Sequence, residues 1–387
     1  MLAIAESIMN EARLRVQREY GHEIGLPASE ITTPALVLDL PVARRNIATM
    51  AERMGQCSSV LRPHIKAHKS PDLAAIQAES GVAGWSVATV WEAVTMAAAG
   101  FDGIFVVNTI VGRPQMEVLA ELSRDRDVSV AVDDLLNAQA LSSLAVEKGS
   151  RIGVLLEVDT GMDRAGVDTA QEALELSRAI VHLPGLEFEG LTGYEGQCSG
   201  VVDPEERRRK HQAAMGTFAS VADELVSEGI PIGIRSAGGT TTWEWTASYP
   251  GITEIQAGTY VVMDNFHGRM VPDFEKALTV ATTVISRRPD RVVVDAGNKT
   301  VAVSHLATVR GFEDLPFVRF DEEHGVFGTG HDPPPLGARL EIVPGYAPST
   351  VNAFDAFHVV EGGVVIDIWP VVPRGPGHHG LAGRTRG

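Results

Sequence analysis

The chain has 387 residues, of which 44% are hydrophobic and 21% are charged, which is the composition of a globular protein with room for one large and one smaller domain. Its formal net charge of −17 disfavours nucleic acid and anionic membranes as partners. The two cysteines, Cys57 and Cys198, provide neither a disulfide framework nor a zinc signature, and no apolar run approaches the ~18 residues of a membrane span. We therefore expect a protein of the cytoplasm that does not enter a membrane.

The N-terminal part of the chain predicts an arm. Residues 4–20 have the pattern of an amphipathic helix that ends near Gly21, and residues 22–34 are rich in Gly, Pro, Ser and Thr. The run ALVLDL at 35–40 predicts a strand. Because this strand precedes the regular alternation that follows, we expect it to pair with the C-terminal part of the chain.

After Cys57, strand patterns alternate with helical patterns. The predicted strands are residues 61–66, 84–89, 103–108, 128–133, 153–159, 188–194, 233–239 and 254–260. Apolar strands that alternate with helices indicate a parallel sheet covered by helices. Eight such units in roughly 200 residues predict a (β/α)8 barrel. The alternative is a doubly wound open sheet, but its G-x-G-x-x-G signal after the first strand is missing.

Beyond Asp273 the helical pattern stops, and short strands separated by turn residues follow. This pattern is typical of an all-β domain. The predicted organisation is a helical arm at 1–33, a barrel at 34–272 and a C-terminal β domain at 273–387.

The stretch LRPHIKAHKSP at 61–71 concentrates basic side chains at the end of the first predicted barrel strand. Period-2 alternation would place four of them on one face of an extended segment, and such a face needs an anionic partner if it is buried. These four are Arg62, His64, Lys66 and His68. A lysine that is crowded by cations and partly desolvated has a lowered pKa and becomes an amine nucleophile, as pyridoxal-phosphate chemistry requires. Lys66 and Lys69 both meet this description.

Two other stretches are placed for phosphate binding. Active sites of (β/α)8 barrels lie at the C-terminal ends of the strands, often with a phosphate site after strands seven and eight. Strand seven ends in SAGGTTT at 236–242, and strand eight ends in AGTY at 257–260. Small residues allow backbone N–H groups to approach a phosphate, and hydroxyl groups add donors. A lone Gly-Gly-Thr is more often a plain turn, but the coincidence of position favours a phosphate site.

Five motifs together resemble one enzyme family. They are RPHIKAHKSP, VDTGMDRAG, SAGGT, DEEHG and PSTVNAFD, and the resemblance extends over roughly residues 30–375. They are similar to motifs of the D-threonine aldolase and D-serine dehydratase family, whose members are fold type III pyridoxal-phosphate enzymes with an alanine racemase-type barrel. The resemblance implies the same fold and pyridoxal 5'-phosphate as cofactor.

The resemblance also implies roles for individual residues. The family lysine that matches Lys66 carries the cofactor as a Schiff base, which selects Lys66 over Lys69. The arginine that matches Arg164 contacts the phenolic oxygen of the cofactor, although a surface ion pair with Asp159 or Asp163 is the alternative. The predicted cofactor-binding residues are Lys66, Arg164, Tyr194, Ser236, Gly238, Gly239, Thr240, Gln256, Gly258, Thr259 and Tyr260, and the predicted catalytic residues are Lys66, Tyr346, His324 and His64.

Gln256 and the VPGYAPSTVN stretch at 343–352 depart from related patterns. Alanine racemases carry an arginine that faces the pyridine nitrogen where this chain has Gln256, which weakens a pure racemase interpretation. In the family, a histidine and a Cys or Asp of the second stretch bind a divalent metal. Here those positions are Tyr346 and Pro348, and proline has no side-chain ligand atom. We therefore expect no metal at the family position.

These observations predict a lyase that acts on D-configured β-hydroxy-α-amino acids. The first hypothesis is retro-aldol cleavage to glycine and an aldehyde. The alternatives are a D-serine or D-threonine dehydratase, which gives a 2-oxo acid and ammonia, an amino-acid racemase, and a non-catalytic cofactor carrier, against which the second domain argues. The sequence does not identify the group that acts on the β-hydroxyl. The family also implies a homodimer with a shared active site.

Overall fold

The structure is a computed structural model that describes residues 2–375, with side chains from residue 5 onward. The last part of the predicted C-terminal domain, 376–387, lies outside the described residues. Within the described range the strands are β1 (Ala35–Asp39), β2 (Val60–Leu61), β3 (Trp85–Val87), β4 (Ile104–Val106), β5 (Val128–Val132), β6 (Ile152–Val158), β7 (Leu186–Gly193), β8 (Ile234–Ala237), β9 (Glu254–Ile255), β10 (Leu278–Arg288), β11 (Arg291–Val294), β12 (Thr308–Val309), β13 (Phe317–Phe320), β14 (Gly325–Phe327), β15 (Arg339–Val343), β16 (Ala356–Glu361) and β17 (Val364–Pro370).

The α-helices of the same range alternate with the first strands and become rare after β9. They are α1 (Leu2–Tyr20), α2 (Leu40–Met54), α3 (Pro71–Ala78), α4 (Val90–Ala98), α5 (Arg113–Leu122), α6 (Leu135–Lys148), α7 (Ala170–Ile180), α8 (Pro204–Ser227), α9 (Trp243–Ala247), α10 (Asn265–Gly268) and α11 (Ala347–Val351). Short 3-10 turns lie at 21–23, 65–67, 196–198 and 259–261. None of the helices in residues 2–375 is both long and apolar enough to cross a bilayer.

Eight parallel strands form a barrel, in the order β2-β9-β8-β7-β6-β5-β4-β3. A parallel bridge between His64 and Ser86 joins the two ends of this order, and the Ser86 N–H donates to the Pro63 carbonyl oxygen at 3.0 Å. The predicted (β/α)8 barrel is thereby confirmed, and its eight strands coincide in order with the eight predicted ones.

Local sequence signals start the barrel helices. Asp134 and Asp203 accept hydrogen bonds from the first N–H groups of α6 and α8, and Thr169 forms a capping box with Glu172 at the start of α7. The helix after β9 is only one turn long. Instead, α2 covers this side of the barrel, where the buried Asn46 amide donates to the Val261 carbonyl oxygen at 3.2 Å.

The inside of the barrel is divided between apolar and polar layers. Phe105, Ala131 and Leu155 pack together as a small buried cluster. Near the N-terminal ends of the strands, Arg62 is buried and donates from Nε to Glu254 at 2.8 Å. Pairing of these two charges satisfies a cation that would otherwise be costly to bury.

The remaining strands form a second, mainly antiparallel sheet in the order β13-β14-β11-β10-β1-β16-β17, with β15 also paired to β10 and β12 to β15. Strand β1 lies in its middle, antiparallel to β10 and parallel to β16. The prediction that the ALVLDL strand pairs with the C-terminal part is therefore confirmed. The division at residues 33 and 272 stays a prediction.

The N-terminal arm packs against this sheet and the barrel. Helix α1 contacts α4 and β17. After its end, the buried Glu23 lies 2.6 Å from Nε2 of His358 on β16, and a second Glu23 oxygen accepts from the Thr32 N–H at 2.8 Å. The arm is thus joined to the β sheet by a buried polar contact rather than by apolar packing alone.

The prediction of one basic face at 62–68 was wrong. After β2 the chain enters the 3-10 turn at 65–67, which replaces the period of two by a period of about three. His68 turns inward, where Nε2 lies 3.1 Å from the Gln77 side-chain oxygen and burial lowers its pKa to about 4. Arg62 and His68 each have their own protein partners, so only His64 and Lys66 of the predicted face remain for a ligand.

Candidate functional site

A pocket opens at the C-terminal ends of the barrel strands, with an empty volume of about 740 Å³. The lining residues are His64, Lys66, Ala67, Val107, Asn108, Glu157, Arg164, Thr192, Gly193, Tyr194, Gly238, Gly239, Thr240, Gln256, Gly258, Thr259, His267 and Tyr346. Most residues predicted for the site are therefore brought together in one place.

Lys66 enters the pocket from the 3-10 turn after β2, and its Nζ lies 5.8 Å from the centre of the Tyr194 ring. Burial lowers the pKa of Lys66; Glu92 opposes this shift and Arg164 adds to it. The sequence argument named both crowding by cations and desolvation, and of the two desolvation is the larger cause. A lowered pKa increases the share of the amine that is uncharged and nucleophilic.

His64 lies beside Lys66 and is fully desolvated. Burial, and then the charge of Lys66, holds the pKa of His64 well below its ordinary value, so the ring is neutral. Its Nδ1 accepts from the Lys66 backbone N–H at 3.5 Å, and the backbone of Ser86 also interacts with the ring.

Arg164 stands on the loop between β6 and α7. Asp159 shapes this loop, because its carboxylate accepts from the Gly161 and Met162 N–H groups at 2.7 and 2.8 Å. The guanidinium lies 5.8 Å from the Tyr194 ring centre and 3.8 Å from Glu157. Its carboxylate neighbour is therefore Glu157, rather than Asp159 or Asp163 as in the alternative considered from the sequence.

Glu157 is a pocket residue that sequence analysis did not select. It lies at the end of β6, and burial raises its pKa to about 7, although Arg164 opposes the shift. A carboxyl group that titrates near neutral pH inside a pocket is a candidate for proton transfer or for holding a cation. Its position near the end of a barrel strand is the signal that would have revealed it.

Two glycine-containing loops leave space for a ligand. Gly238 has a φ of +84°, which favours glycine, and a Cβ on Gly239 would lie 3.0 Å from the Tyr194 ring. A Cβ on Gly258 would lie only 2.2 Å from the His64 carbonyl oxygen. These contacts bring the loops after β8 and β9 close to the lysine turn and to Tyr194.

A buried carboxylate supports the loop after β8. Glu195 accepts from the Gly238 N–H at 3.2 Å and from the Thr242 and Thr246 hydroxyl groups at 2.6 and 2.7 Å. His211 lies 3.0 Å from the Thr246 hydroxyl behind it. The shape of the loop is thus fixed by a polar network that sequence analysis missed, because its members come from four different segments.

Gln256 is held in the pocket wall by neighbouring hydroxyl groups. Its Nε2 lies 2.9 Å from the Ser236 hydroxyl and 3.2 Å from the Thr192 hydroxyl. Ser236 therefore lies behind Gln256 and does not line the pocket. The side chain of Tyr260 is also elsewhere, since its hydroxyl accepts from the Gln77 amide at 2.8 Å in the protein interior.

His324 lies outside the pocket. It is an exposed residue of the turn between β13 and β14. Tyr346, which immediately precedes α11, does line the pocket. Burial, and then Tyr194 and Asp264, raises the pKa of Tyr346, which keeps the phenol protonated.

His267 on α10 is another pocket residue that sequence analysis missed. Its Nδ1 lies 2.8 Å from the carboxylate of the buried Asp264. The two residues are three positions apart, as in a helix that begins at an aspartate cap. That spacing is the only signal in the sequence, because the helix is too short to show periodicity.

The chemical groups that line the pocket match those of pyridoxal phosphate. The buried Thr240 hydroxyl has no partner among residues 2–375 and lies on the loop where Gly238 and Gly239 allow close approach. The amine of Lys66 would meet the aldehyde, Arg164 supplies a cation, and Gln256 supplies a neutral amide. Among the same residues, no group of three or more His, Cys, Asp or Glu side chains is arranged to hold a metal ion.

Comparisons with known proteins agree with this geometry. The family "Alanine racemase, N-terminal domain" matches residues 38–265, and "Putative serine dehydratase domain" matches residues 277–360. The chain is 37% identical to a D-threonine aldolase from an Arthrobacter species, over 91% of this chain and 95% of that protein. It is 33% identical to a 3-hydroxy-D-aspartate aldolase from Paracoccus denitrificans, over 93% and 97%. The solved structure of D-threonine aldolase from Filomicrobium marinum superposes with a TM-score of 0.87 at 33% identity, over 90% of this chain and 97% of that one.

Proposed function

The chain belongs to the D-threonine aldolase and D-serine dehydratase family with an alanine racemase-type N-terminal domain, and from this premise we propose that it is a pyridoxal-phosphate-dependent lyase acting on D-configured β-hydroxy-α-amino acids. Its proposed reaction is retro-aldol cleavage to glycine and an aldehyde. The observation that carries the proposal is the buried Lys66 amine, whose pKa is lowered at the centre of a pocket that fits the cofactor.

Different groups of the pocket would hold different parts of the cofactor in this proposal. Lys66 would hold the cofactor through its amine, which faces the pocket. The loops at 238–240 and 258–259 would hold its phosphate, with the Thr240 hydroxyl as a donor. Arg164 would place its cation at the phenolic oxygen of the cofactor. When bound, pyridoxal phosphate supplies an electron sink for the pair released at Cα.

Tyr194 and Gln256 are two neutral side chains of the pocket wall. The Tyr194 ring centre lies 5.8 Å from the amine of Lys66 and 5.8 Å from the guanidinium of Arg164. Its hydroxyl lies 3.3 Å from Ser199, and burial raises its pKa, so the phenol stays neutral. Gln256 is neutral in either orientation of its amide, which supports a lyase over a racemase that uses an arginine at this place.

Dehydration to a 2-oxo acid and ammonia is the second candidate. It is supported by the match of residues 277–360 to the serine dehydratase domain. Cleavage and dehydration differ in the fate of the β-hydroxyl, because cleavage removes its proton whereas dehydration expels its oxygen.

Product analysis tests the proposal. Purified protein is loaded with pyridoxal phosphate and incubated with D-threonine and with D-serine, with and without a chelator. Glycine and acetaldehyde from D-threonine support retro-aldol cleavage. Formation of 2-oxo acid and ammonia supports the dehydratase, formation of the L-isomer supports a racemase, and the absence of every product contradicts all three. The L-amino acids serve as controls that should not react.

We also propose that the protein is a homodimer in the cytoplasm and that it works without the divalent metal of its family. Exposed apolar side chains on the β sheet and its loops, such as Val303, Leu306 and Val318, support an interface. Both cysteines are free thiols, which supports a reducing compartment. Sedimentation at micromolar concentration should give twice the chain mass of 41.3 kDa, and a mass equal to one chain would contradict the dimer.

A further inference from the structure

Asp264 joins two short helices at the mouth of the pocket. It accepts from the His267 N–H at 2.7 Å and from His267 Nδ1 at 2.8 and 3.0 Å, within α10. It also accepts from the Ala347 N–H at 2.7 Å, at the start of α11. Asp264 is fully buried, and its carboxylate therefore fixes the imidazole of His267 relative to the residue next to Tyr346.

The donors around Asp264 determine which ring nitrogen of His267 carries a proton. Two of its partners are backbone N–H groups, which can only donate, so the carboxyl group acts as an acceptor. An ionised carboxylate that faces Nδ1 of His267 keeps the proton on Nδ1. The other ring nitrogen, Nε2, has no hydrogen-bond partner in the part of the chain that the structure describes. Its lone pair is therefore available in the neutral ring.

The ring of His267 is also held by stacking. Its centroid lies 5.7 Å from that of Tyr346 with an interplanar angle of 23°, and both side chains line the pocket that contains Lys66. The Tyr346 phenol stays protonated at neutral pH, so Tyr346 can donate a hydrogen bond but does not provide a base.

We propose that His267, oriented by Asp264, is the catalytic base that removes the proton from the β-hydroxyl group of the substrate. This inference rests on the proposed function. The hydroxyl proton passes to Nε2 of His267, the Cβ–O bond becomes a carbonyl, and the Cα–Cβ bond breaks. Pyridoxal phosphate, when bound, would supply the acceptor for the electron pair of that bond, and Cα takes up a proton to give glycine. A base at this position favours cleavage, because dehydration needs an acid for the leaving hydroxyl.

The kinetic test compares two histidines of the same aromatic cluster. His305 stacks on Phe266 with centroids 4.1 Å apart and lies 5.8 Å from the Tyr346 ring, but it does not line the pocket. His267→Gln keeps a polar side chain but cannot take up the proton, and we expect kcat for D-threonine cleavage to fall by about 100-fold or more while KM and the cofactor Kd change less than about threefold. His305→Gln should change kcat less than about threefold. Equal kcat for His267→Gln and wild type would overturn the role of His267.

A second measurement does not depend on turnover. In the full chain with ¹⁵N-labelled histidine, the signal lost in His267→Gln identifies His267, and its Nδ1 should carry the proton while Nε2 does not. Asp264→Asn should shift the proton between the nitrogens. A ring with its proton on Nε2 in wild type overturns the inference whatever the products are.

The product analysis separates the two possible failures. Wild type that yields neither glycine nor aldehyde overturns the proposed function, and with it the role of His267. Wild type that cleaves D-threonine, together with a His267→Gln variant that cleaves it equally fast, overturns only the inference. If His267→Gln does not fold, His267→Ala is assayed with added imidazole, where recovery of kcat supports the base and lack of recovery contradicts it.

Discussion

Lys69 and Glu92 form an ion pair beneath the pocket, with Nζ 3.3 Å from Oε1. The Lys69 ammonium also donates to the Pro373 carbonyl oxygen at 3.2 Å, and the second Glu92 oxygen accepts from the Ala88 N–H at 2.7 Å. Because of these contacts, the Lys69 amine is not available to a ligand in the pocket. The side-chain amine of Lys66, three residues earlier, has no hydrogen bond or ion pair within residues 2–375, and it faces the pocket.

The first prediction follows from this difference between the two lysines. Reduction of the loaded protein with borohydride should attach the cofactor to Lys66, and peptide mapping by mass spectrometry should locate the label there. Lys66→Ala should abolish the label. Lys69→Met should keep the label on Lys66 but lower the free energy of unfolding by about 3–5 kcal/mol, because it leaves Glu92 buried without its cation. A label on Lys69 would refute the assignment.

The second prediction concerns the unpaired hydroxyl of Thr240. Thr240→Val should raise the cofactor Kd by about 10- to 100-fold, as expected for loss of one hydrogen bond to a charged phosphate. The stability of the cofactor-free protein should not fall, because the hydroxyl has no protein partner to lose. Both quantities are measurable, by spectroscopic titration and by denaturant unfolding.

Thr241 provides the matched control for Thr240. Its hydroxyl lies 3.1 Å from Ser199, and the residue does not line the pocket. Thr241→Val should therefore lower the free energy of unfolding by about 1 kcal/mol and leave the cofactor Kd unchanged. An equal effect of the two variants on the cofactor Kd would contradict the assignment of phosphate binding to Thr240.

The third prediction uses the raised pKa of Glu157. Burial raises this pKa from 4.5 to about 7. Between pH 4.5 and about pH 7, Glu157 is therefore protonated in the folded state but ionised in the unfolded state. The contribution of Glu157 to stability therefore falls as pH rises through this window. In cofactor-free protein, Glu157→Gln should become more stable relative to wild type from pH 5 to pH 8, by on the order of 1–3 kcal/mol. If the free energies of unfolding of the two proteins changed equally with pH, the pKa of Glu157 would not be raised.

The fourth prediction concerns the family metal. The family resemblance implies a metal-binding histidine and a Cys or Asp where this chain has Tyr346 and Pro348. Proline has no side-chain ligand atom, and the phenol keeps its proton. Dialysis against a chelator should leave kcat for D-threonine within about twofold, and added manganese or zinc should not raise it. Loss of turnover on chelation that manganese restores would show that other residues bind the ion.

The barrel was predictable because it depends on local patterns, whereas most of the individual pocket residues were selected by the resemblance to a family. Strand and helix periodicity gave the eight units in order, and Lys66, Arg164, Tyr194, Gly239 and Thr240 stand at or just beyond strand ends, where barrel sites form. Once the fold is known, such positions converge without further information.

The remaining features depend on contacts between segments far apart in the sequence. His267 gains its position from Asp264 and from stacking on Tyr346, which lies beyond the barrel in the chain. Ser236 and Tyr260 belong to the right motifs, but their side chains point to Gln256 and Gln77 instead of the pocket. The 3-10 turn at Lys66 was missed because apparent period-2 alternation of a few residues does not exclude a turn.

The place of β1 between β10 and β16 affects how the chain is made. Residues 35–39 leave the ribosome early, but their neighbours at 278–281 and 357–360 emerge only after the whole barrel has been synthesised. Until then the apolar segment ALVLD has neither partner strand, and such long-range pairing closes late. A nascent chain stopped after residue 272 would therefore have every strand of the barrel but would present β1 unpaired.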